Sequence, residues 1–110
     1  MSHADVYRVV SGFVPTTHME WPNDSAPPLP WANYYGRDQA ISADDVQIAV
    51  RHRWTVELYE KRRDKVLEKN LANALRAEFG QVNREESFIE NDNMLVVIFT
   101  FYQLEGEFDG

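Results

Sequence analysis

The sequence predicts an α+β fold in which a mostly antiparallel sheet of four strands carries two packed helices. Three segments lead to this prediction. Apolar and polar residues alternate over residues 46–59, as in a strand with one buried face. Residues 64–80 repeat apolar side chains at helical spacing, and residues 94–102 form a more apolar strand. The predicted order is helix, strand, strand, helix, strand, strand.

The chain begins with a short predicted helix. Ser2 is a suitable N-cap, and Gly12 with Pro15 favour an end to the helix. The apolar residues between them recur at helical spacing: Val6, Val9, Val10 and Phe13. Residues 16–28 show no sustained period, so we predict an irregular connection with a brief extended piece at residues 18–21.

The next two strands are predicted to be joined by a long polar loop. Prolines at 27, 28 and 30 hold the chain extended before the aromatic strand at residues 31–35. Residues 36–45 have no apolar period, so we predict a loop that is mobile until assembly. The following strand places His52, Trp54, Val56 and Leu58 on one face.

The second helix has clear signals at both ends. Asp64 can cap it and Gly80 occupies the usual place of a C-terminal glycine. Its apolar side chains form one stripe: Leu67, Leu71, Ala74, Leu75 and Phe79. A hairpin is predicted next, with strands at residues 84–89 and 94–102 and a turn at residues 90–93.

The last predicted strand is apolar on both faces. Leu95, Val97, Phe99 and Phe101 suit a core, while the other face carries Met94, Val96, Ile98 and Tyr102. Burying each such side chain stabilises by roughly 1.5–3 kcal/mol, so an exposed second face is unfavourable. Either a neighbouring subunit covers it, or the first helix and residues 16–28 cover it within one subunit.

The composition narrows the range of possible functions. The chain has 110 residues, no cysteine and a net charge of −7, which predicts one domain, residues 1–110, with a flexible acidic tail from about residue 105. No apolar run approaches membrane length, and the N-terminus lacks a leader pattern, so we expect no membrane partner and synthesis in the cytoplasm. Both ends of the chain are acidic, which argues against specific nucleic-acid binding.

One basic cluster stands out against this acidity. Lys61, Arg62 and Arg63 follow the strand whose polar face carries Arg51 and Arg53. These residues form either a solvated turn or a contact with acidic segments of a second copy.

The sequence offers no catalytic, cofactor or metal site. His3, His18 and His52 lack ligand spacing, and the acid pairs Asp44-Asp45 and Glu85-Glu86 are typical of solvated surfaces. There is no nucleophile elbow and no phosphate-binding glycine loop. We therefore expect a protein that is not an enzyme and binds no cofactor.

Four groups of short segments follow one another along the chain: Leu29-Pro30-Trp31 with Tyr34-Tyr35, Ala43-Asp44-Asp45, Val56-Glu57-Leu58-Tyr59 and Glu86-Ser87-Phe88-Ile89-Glu90. In order and spacing they resemble the small tail-terminator (tail-completion, head–tail joining) proteins of long-tailed bacteriophages and prophages. The chain departs from that pattern at residues 39–42.

The resemblance implies a lambda-type tail-terminator fold and a structural role in the virion. Such proteins assemble in the host cytoplasm into a ring, commonly a hexamer, that caps the tail tube and stops its growth. The implied partners are further copies of the chain, the major tail-tube protein and the head connector or neck proteins. A head-closure neck protein and a small ferredoxin-like regulatory or RNA-binding module remain alternatives.

The residues expected at a subunit or partner interface come from three places. The basic cluster contributes Arg51, Arg53, Lys61, Arg62 and Arg63. The predicted loop before the second strand contributes Ile41, Asp44 and Asp45, and the second face of the last strand contributes Met94, Val96 and Ile98.

Overall fold

The computed structural model describes residues 3–22, 25–89 and 93–106. Within them the order of elements is α1 (His3–Ser11), β1 (Thr16–His18), β2 (Trp31–Ala43), β3 (Val46–Glu60), α2 (Lys65–Phe79), β4 (Val82–Ile89) and β5 (Met94–Gly106). This order differs from the βαββαβ pattern of a ferredoxin-like module. Among the described residues, no helix is long and apolar enough to cross a membrane.

The prediction of a mostly antiparallel four-stranded sheet is wrong. The described residues form one mixed sheet of five strands in the order β1-β2-β3-β5-β4, and β1 runs parallel to β2. β1 has three residues, too few to show a period, and β2 holds it: the Ala32 N–H donates to the Pro15 carbonyl, and the Met19 N–H donates to the Tyr34 carbonyl. The broader α+β class is retained.

The prediction of a long loop at residues 36–45 is also wrong. β2 continues to Ala43, and only Asp44 and Asp45 form the turn to β3. Both have positive φ, 53° and 63°, as in the type I′ turn that matches the twist of a hairpin. Backbone pairing with β3 holds these polar residues in a strand, which apolar periodicity cannot reveal.

The ends of α2 agree with the prediction. The Asp64 side chain accepts a hydrogen bond from the Leu67 N–H at 3.0 Å, and Gly80 adopts a φ of 90° while its N–H donates to the Arg76 carbonyl. For α1 the predicted cap, Ser2, lies outside the described residues. In the last hairpin, residues 90–92 of the predicted turn also lie outside them, as do residues 107–110 of the predicted tail.

Both helices pack on the same face of the sheet. Val6 and Val10 of α1 join Leu71 and Leu75 of α2 in one buried cluster, and Arg8 pairs with Glu78 between the helices at 2.5 Å. The sheet contributes alternate residues to this cluster: Ala32, Tyr34, Trp54, Val56, Leu58, Val82, Val97, Phe99 and Phe101. Burial of these residues determines which side chains lie on the opposite face of the sheet, because it fixes which face of each strand points away from the helices.

Gly36 allows close packing of a side chain against the backbone of β2. It lies opposite Trp54, and a Cβ atom at position 36 would approach the indole Cζ3 to 2.8 Å. The indole therefore lies across the backbone of β2 where only glycine fits. Beyond this point the hairpin extends past the buried cluster and contributes to the 48 Å length of the molecule.

Candidate subunit interface

The second face of the sheet, called here the helix-free face, carries the odd-numbered residues of β2, β3 and β4 and the even-numbered residues of β5. Of the expected interface residues on β5, Val96 is buried, whereas Met94 and Ile98 are half-buried. α1 packs on the opposite face. Among the described residues, the connection after β1 reaches this one, where Trp21 contacts Trp31. The helix-free face is therefore partly covered within the subunit.

An aromatic group covers one end of the helix-free face. Trp31 stacks on Tyr59 with ring centroids 4.4 Å apart, and Trp21 contacts Trp31 edge-on at 6.0 Å. Burial, followed by the nearby Glu57 carboxylate, raises the pKa of Tyr59 to about 12. Residues Ile89 and Met94 complete an open concavity of about 660 Å³ at this end.

The opposite end of the helix-free face is basic. Arg37 lies directly opposite Arg53, and Arg51 places its guanidinium over the Tyr102 ring, 4.6 Å from the centroid. Like charges opposite one another destabilise a sheet unless an anion lies nearby. Among the described residues neither Arg37 nor Arg53 forms an ion pair, so this end is suited to an acidic partner.

The basic cluster expected from the sequence is divided by the structure. Arg51 and Arg53 lie toward the hairpin turn, whereas Lys61, Arg62 and Arg63 follow the other end of β3, roughly 25 Å away at the rise of a strand. Lys61 and Arg62 are exposed and line a second open concavity, of about 240 Å³, with Leu29 and Pro30. The five residues therefore do not form one patch.

Arg63 is bound within its own subunit. It donates to both oxygens of Glu86 and lies 3.3 Å from Glu68, and Arg84 contacts the same two carboxylates. Charge reversal at Arg63 would therefore disturb the fold. Of the three basic residues that follow β3, Lys61 and Arg62 are the two left to meet a partner.

Two buried carboxyl groups lie behind this network. Glu60 and Glu68 are each 1% exposed, and the Asp64 N–H donates to Glu60 Oε1 at 3.3 Å. Burial, followed by hydrogen bonding to and repulsion from Glu68, raises the pKa of Glu60 from 4.5 to about 8. Glu60 therefore holds a proton at neutral pH, and it lies beside Glu68, whose carboxylate contacts Arg63 and Arg84.

The carboxyl pair lies almost completely out of solvent. Both groups are 1% exposed, and Glu60 also lines the second open concavity together with Lys61 and Arg62. The sequence carries a signal for this pair that the apolar periodicity alone does not show. Glu60 continues the buried series Trp54, Val56 and Leu58 on β3, and Glu68 precedes Leu71 by three residues on the buried stripe of α2.

The remaining expected interface residues lie at the tip of the β2–β3 hairpin. Asp44 and Asp45 are exposed in the turn, and Ile41 is half-buried beside an irregularity in the strand pairing. His52, expected on an apolar face, pairs with Asp38 across the hairpin. No group of His, Asp or Glu in the described part of the chain has the arrangement needed to hold a metal ion.

No protein-family model matches this chain, and no curated protein is significantly similar to it. The function therefore has to be argued from the residues and from the surfaces that the fold leaves open.

The open surfaces include both edges of the sheet. β1 pairs with β2 only at residues 32–34, and among the described residues no strand pairs with the outer side of β2 beyond them. Likewise, among the described residues no strand pairs with the outer side of β4. Sequence reasoning missed the first of these edges because it placed a loop there.

Proposed function

We propose that this chain is a structural protein of a phage virion that assembles with its own copies into a ring, commonly a hexamer in the family it resembles. The ring would cap the head-proximal end of the tail tube, stop its growth and offer a surface for head joining. It would assemble in the host cytoplasm and remain in the tail or neck. Its partners would be the major tail-tube protein and the head connector or neck proteins.

The observation that carries the proposal is a convergence of the family-like segments. Trp31, Tyr59 and Ile89 belong to three segments that are distant in sequence, and all three line the concavity at the aromatic end of the helix-free face. Clustered aromatic side chains in a surface concavity are typical anchors of a protein interface, whereas side chains that serve only the core would point toward the helices.

The proposed mechanism is complementarity of shape and charge. The helix-free face has aromatic and acidic residues at one end, including Glu57, and the basic residues Arg37 and Arg53 at the other. A surface with opposite signs at its two ends favours contacts between different parts of two copies, and such contacts repeat into a closed ring or an open filament. Charge complementarity then sets register and excludes wrong partners more than it adds affinity.

The decisive experiment removes the gene from a phage or prophage that encodes this chain. We expect heads and tails that fail to join, with tails of uncontrolled length in electron micrographs, and rescue by the unmodified gene. Joining defects with tails of normal length would instead favour the head-closure alternative. Infectious particles of normal appearance would contradict both neck functions.

A matched pair of variants tests whether the aromatic end is the docking surface. Met94→Lys places a charge in the concavity, and Arg76→Glu changes an exposed charge on α2, away from it. Met94→Lys should fail to rescue the deletion while the purified variant keeps its folded spectrum, and Arg76→Glu should rescue. Equal rescue by the two variants would show that tube or neck proteins do not contact this end.

A further inference from the structure

The open edges of β2 and β4 lie on opposite sides of the sheet. The β2 edge is available over residues 35–43, past the end of β1, and the β4 edge over Val82–Ile89. An open edge presents N–H and C=O groups in a row and is a template for another strand. The question is whether these two edges fit each other.

Two hydrogen bonds show which residues of β2 present their backbone groups outward. The Ala32 N–H and the Tyr34 carbonyl both bond toward β1, on the outer side. In an antiparallel pair the direction alternates along the strand, so Gly36, Asp38 and Ala40 continue the outward series.

The same alternation passes across the sheet to β4. The pairings of β2 with β3, β3 with β5 and β5 with β4 are regular over this region, apart from the irregularity at Ile41/Ser42. Following them strand by strand, the odd residues of β4 bond to β5, and its even residues, such as Arg84 and Glu86, point outward. The outward residues on both edges are therefore even-numbered.

We propose that the β2 edge of one copy pairs with the β4 edge of a second copy, antiparallel, with Arg37 opposite Glu85 and Asp38 opposite Arg84. β2 and β4 run in opposite directions within one sheet, so two copies in the same orientation meet antiparallel. The joint deepens the ring assembly proposed above and rests on it for its role in the virion.

The side chains favour this register. Arg37 and Glu85 both belong to the helix-free face, and Asp38 and Arg84 both belong to the helix-covered face, so each pair meets on one side of the joined sheet. Both pairs have opposite charges, which stabilise a sheet when directly opposite. Within the subunit Asp38 already pairs with His52, and Arg84 with Glu68 and Glu86, so the Arg37–Glu85 pair is the main contribution. Arg37 and Glu85 are exposed and form no ion pair among the described residues.

Other registers lose these contacts. A slip by one residue would reverse the faces, so the alternatives are slips by two. One such slip places Asp38 opposite Glu86 and Arg37 opposite Ser87, and the like-charge pair disfavours it. The other places Arg37 opposite Asn83 and forms no charge pair of either kind.

Pairing of identical edges is also less favourable. A β2–β2 joint centred on the charged residues places Asp38 opposite Asp38 or Arg37 opposite Arg37. A β4–β4 joint centred on Arg84 or Glu86 places that residue opposite its own copy. Centred on Glu85, the joint places Glu85 opposite its own copy, and the Arg84–Glu86 pairs beside it would use side chains that already pair with each other and with Glu68 within one subunit. The joint is therefore between unlike edges, and a contact of this type repeats from copy to copy into a ring or a filament.

β1 limits the length of the joint. It occupies the outer side of β2 up to Tyr34, so the joint runs from Tyr35 opposite Ser87 to Ala40 opposite Val82. At the end of the joint next to β1, the register brings Phe88 of one copy next to Met19 of the other. These two side chains are 56% and 60% exposed in the single subunit, so the joint would bury apolar surface there.

Engineered disulfides test the register directly, because the chain has no cysteine of its own. The Gln39→Cys and Asn83→Cys changes on one chain create a pair that the register places directly opposite, at disulfide distance. Within one chain the two positions are separated by three strand spacings, about 14 Å, so a bond can form only between copies. We expect a ladder of covalent multimers after mild oxidation.

The matched control moves one cysteine along β4. Gln39→Cys with Ser87→Cys is offset by four residues and should remain mostly monomeric, with the same melting temperature as the first variant. If the first variant forms no ladder, or if the control forms one as readily, the proposed joint is wrong.

Charge exchange tests the pairing chemistry in the Gln39→Cys/Asn83→Cys background. Arg37→Glu and Glu85→Arg should each slow cross-linking roughly tenfold, because each places like charges opposite one another. The two changes together should restore the rate to within about threefold. As a control, Arg76→Glu on α2 should leave the cross-linking rate unchanged. If the double change does not restore the rate, the Arg37–Glu85 pair is wrong.

The joint and the tail function can fail separately. A ladder that ends at one fixed size supports a closed ring, whereas a ladder without an end supports the joint and contradicts the ring. Normal tails in a phage that lacks the gene would contradict the tail function and leave the disulfide result standing. If the phage needs the gene but the cysteine pair never cross-links in assembled particles, the joint is contradicted and the tail function is not.

Discussion

The two halves of the β2–β3 hairpin are held together by different forces. In the proximal half, residues 31–36 with 54–60, alternate side chains are buried beneath the helices. In the distal half, residues 37–51, no described side chain is buried. The proximal half is stabilised by removal of apolar surface from water and the distal half by backbone pairing, so the same two strands combine a rigid base with a weakly fixed, exposed surface.

The largest difference should appear when equal apolar volume is removed from each half. Leu58→Ala in the proximal half leaves a cavity in a fully buried site and should cost about 2–5 kcal/mol of unfolding free energy. Ile41→Ala in the distal half should cost less than about 1 kcal/mol. Denaturant midpoints measure both, and equal costs would show that the distal half is packed as tightly as the base.

The second prediction concerns the Glu60–Glu68 pair at the end of the proximal half. Glu60 keeps its proton in the folded chain up to about pH 8, whereas the unfolded chain releases it near 4.5. Unfolding therefore releases a proton between these values, and stability falls as pH rises through this window. Below about 4.5 both states are protonated and the effect disappears.

Glu60→Gln removes this titration while keeping a donor for Glu68. The variant should be more stable than the parent at pH 8, by on the order of 1–3 kcal/mol, and should match it near pH 4. Denaturant unfolding across this pH range provides the measurement. Glu78→Gln, at an exposed ion pair, is the control and should change stability by less than about 1 kcal/mol at every pH.

Gly36 marks the boundary between the halves and gives the third prediction. Gly36→Ala should cost about 1–3 kcal/mol because its Cβ would overlap the Trp54 indole. Combining it with Trp54→Leu removes the overlap, so the cost of the alanine should shrink in the double variant. A cost that is the same with and without the indole would refute this account of the glycine.

The smallest effect is expected at the hairpin turn. Asp45 has a φ of 63°, which glycine adopts more easily, and the pair Asp-Gly is favoured in type I′ turns. Asp45→Gly should stabilise the hairpin by less than about 1 kcal/mol and slow amide exchange in the distal half while leaving α2 unchanged. Faster exchange would mean that the aspartate makes a contact that glycine cannot replace.

The sequence predicted the proximal half better than the distal half for a physical reason. Burial leaves a period in the sequence, and the stripe of α2 and the alternation of Trp54, Val56 and Leu58 follow from it. Residues 36–43 pair through the backbone and show no period, so they resembled a loop. β1 was missed as a strand because three residues held by β2 carry no pattern of their own.

For the same reason, the sequence predicted the positions of only some of the expected interface residues. Met94, Val96 and Ile98 were assigned to a second apolar face, and the structure places them on the helix-free face. The basic cluster was grouped by distance along the chain, although β3 separates its members and Arg63 turns inward to Glu86. Tertiary partners of this kind cannot be derived from the charges of a single segment.

The three residues of β1 have a consequence for the chain before it meets any partner. An uninterrupted edge along the whole of β2 would be long enough to recruit strands indiscriminately, which is the route to aggregates. By running parallel along Ala32, Asn33 and Tyr34, β1 closes the part of that edge nearest the apolar base and leaves open only the polar, charged part. The subunit therefore presents to the strands of other chains a shorter edge than an unpaired β2 would present.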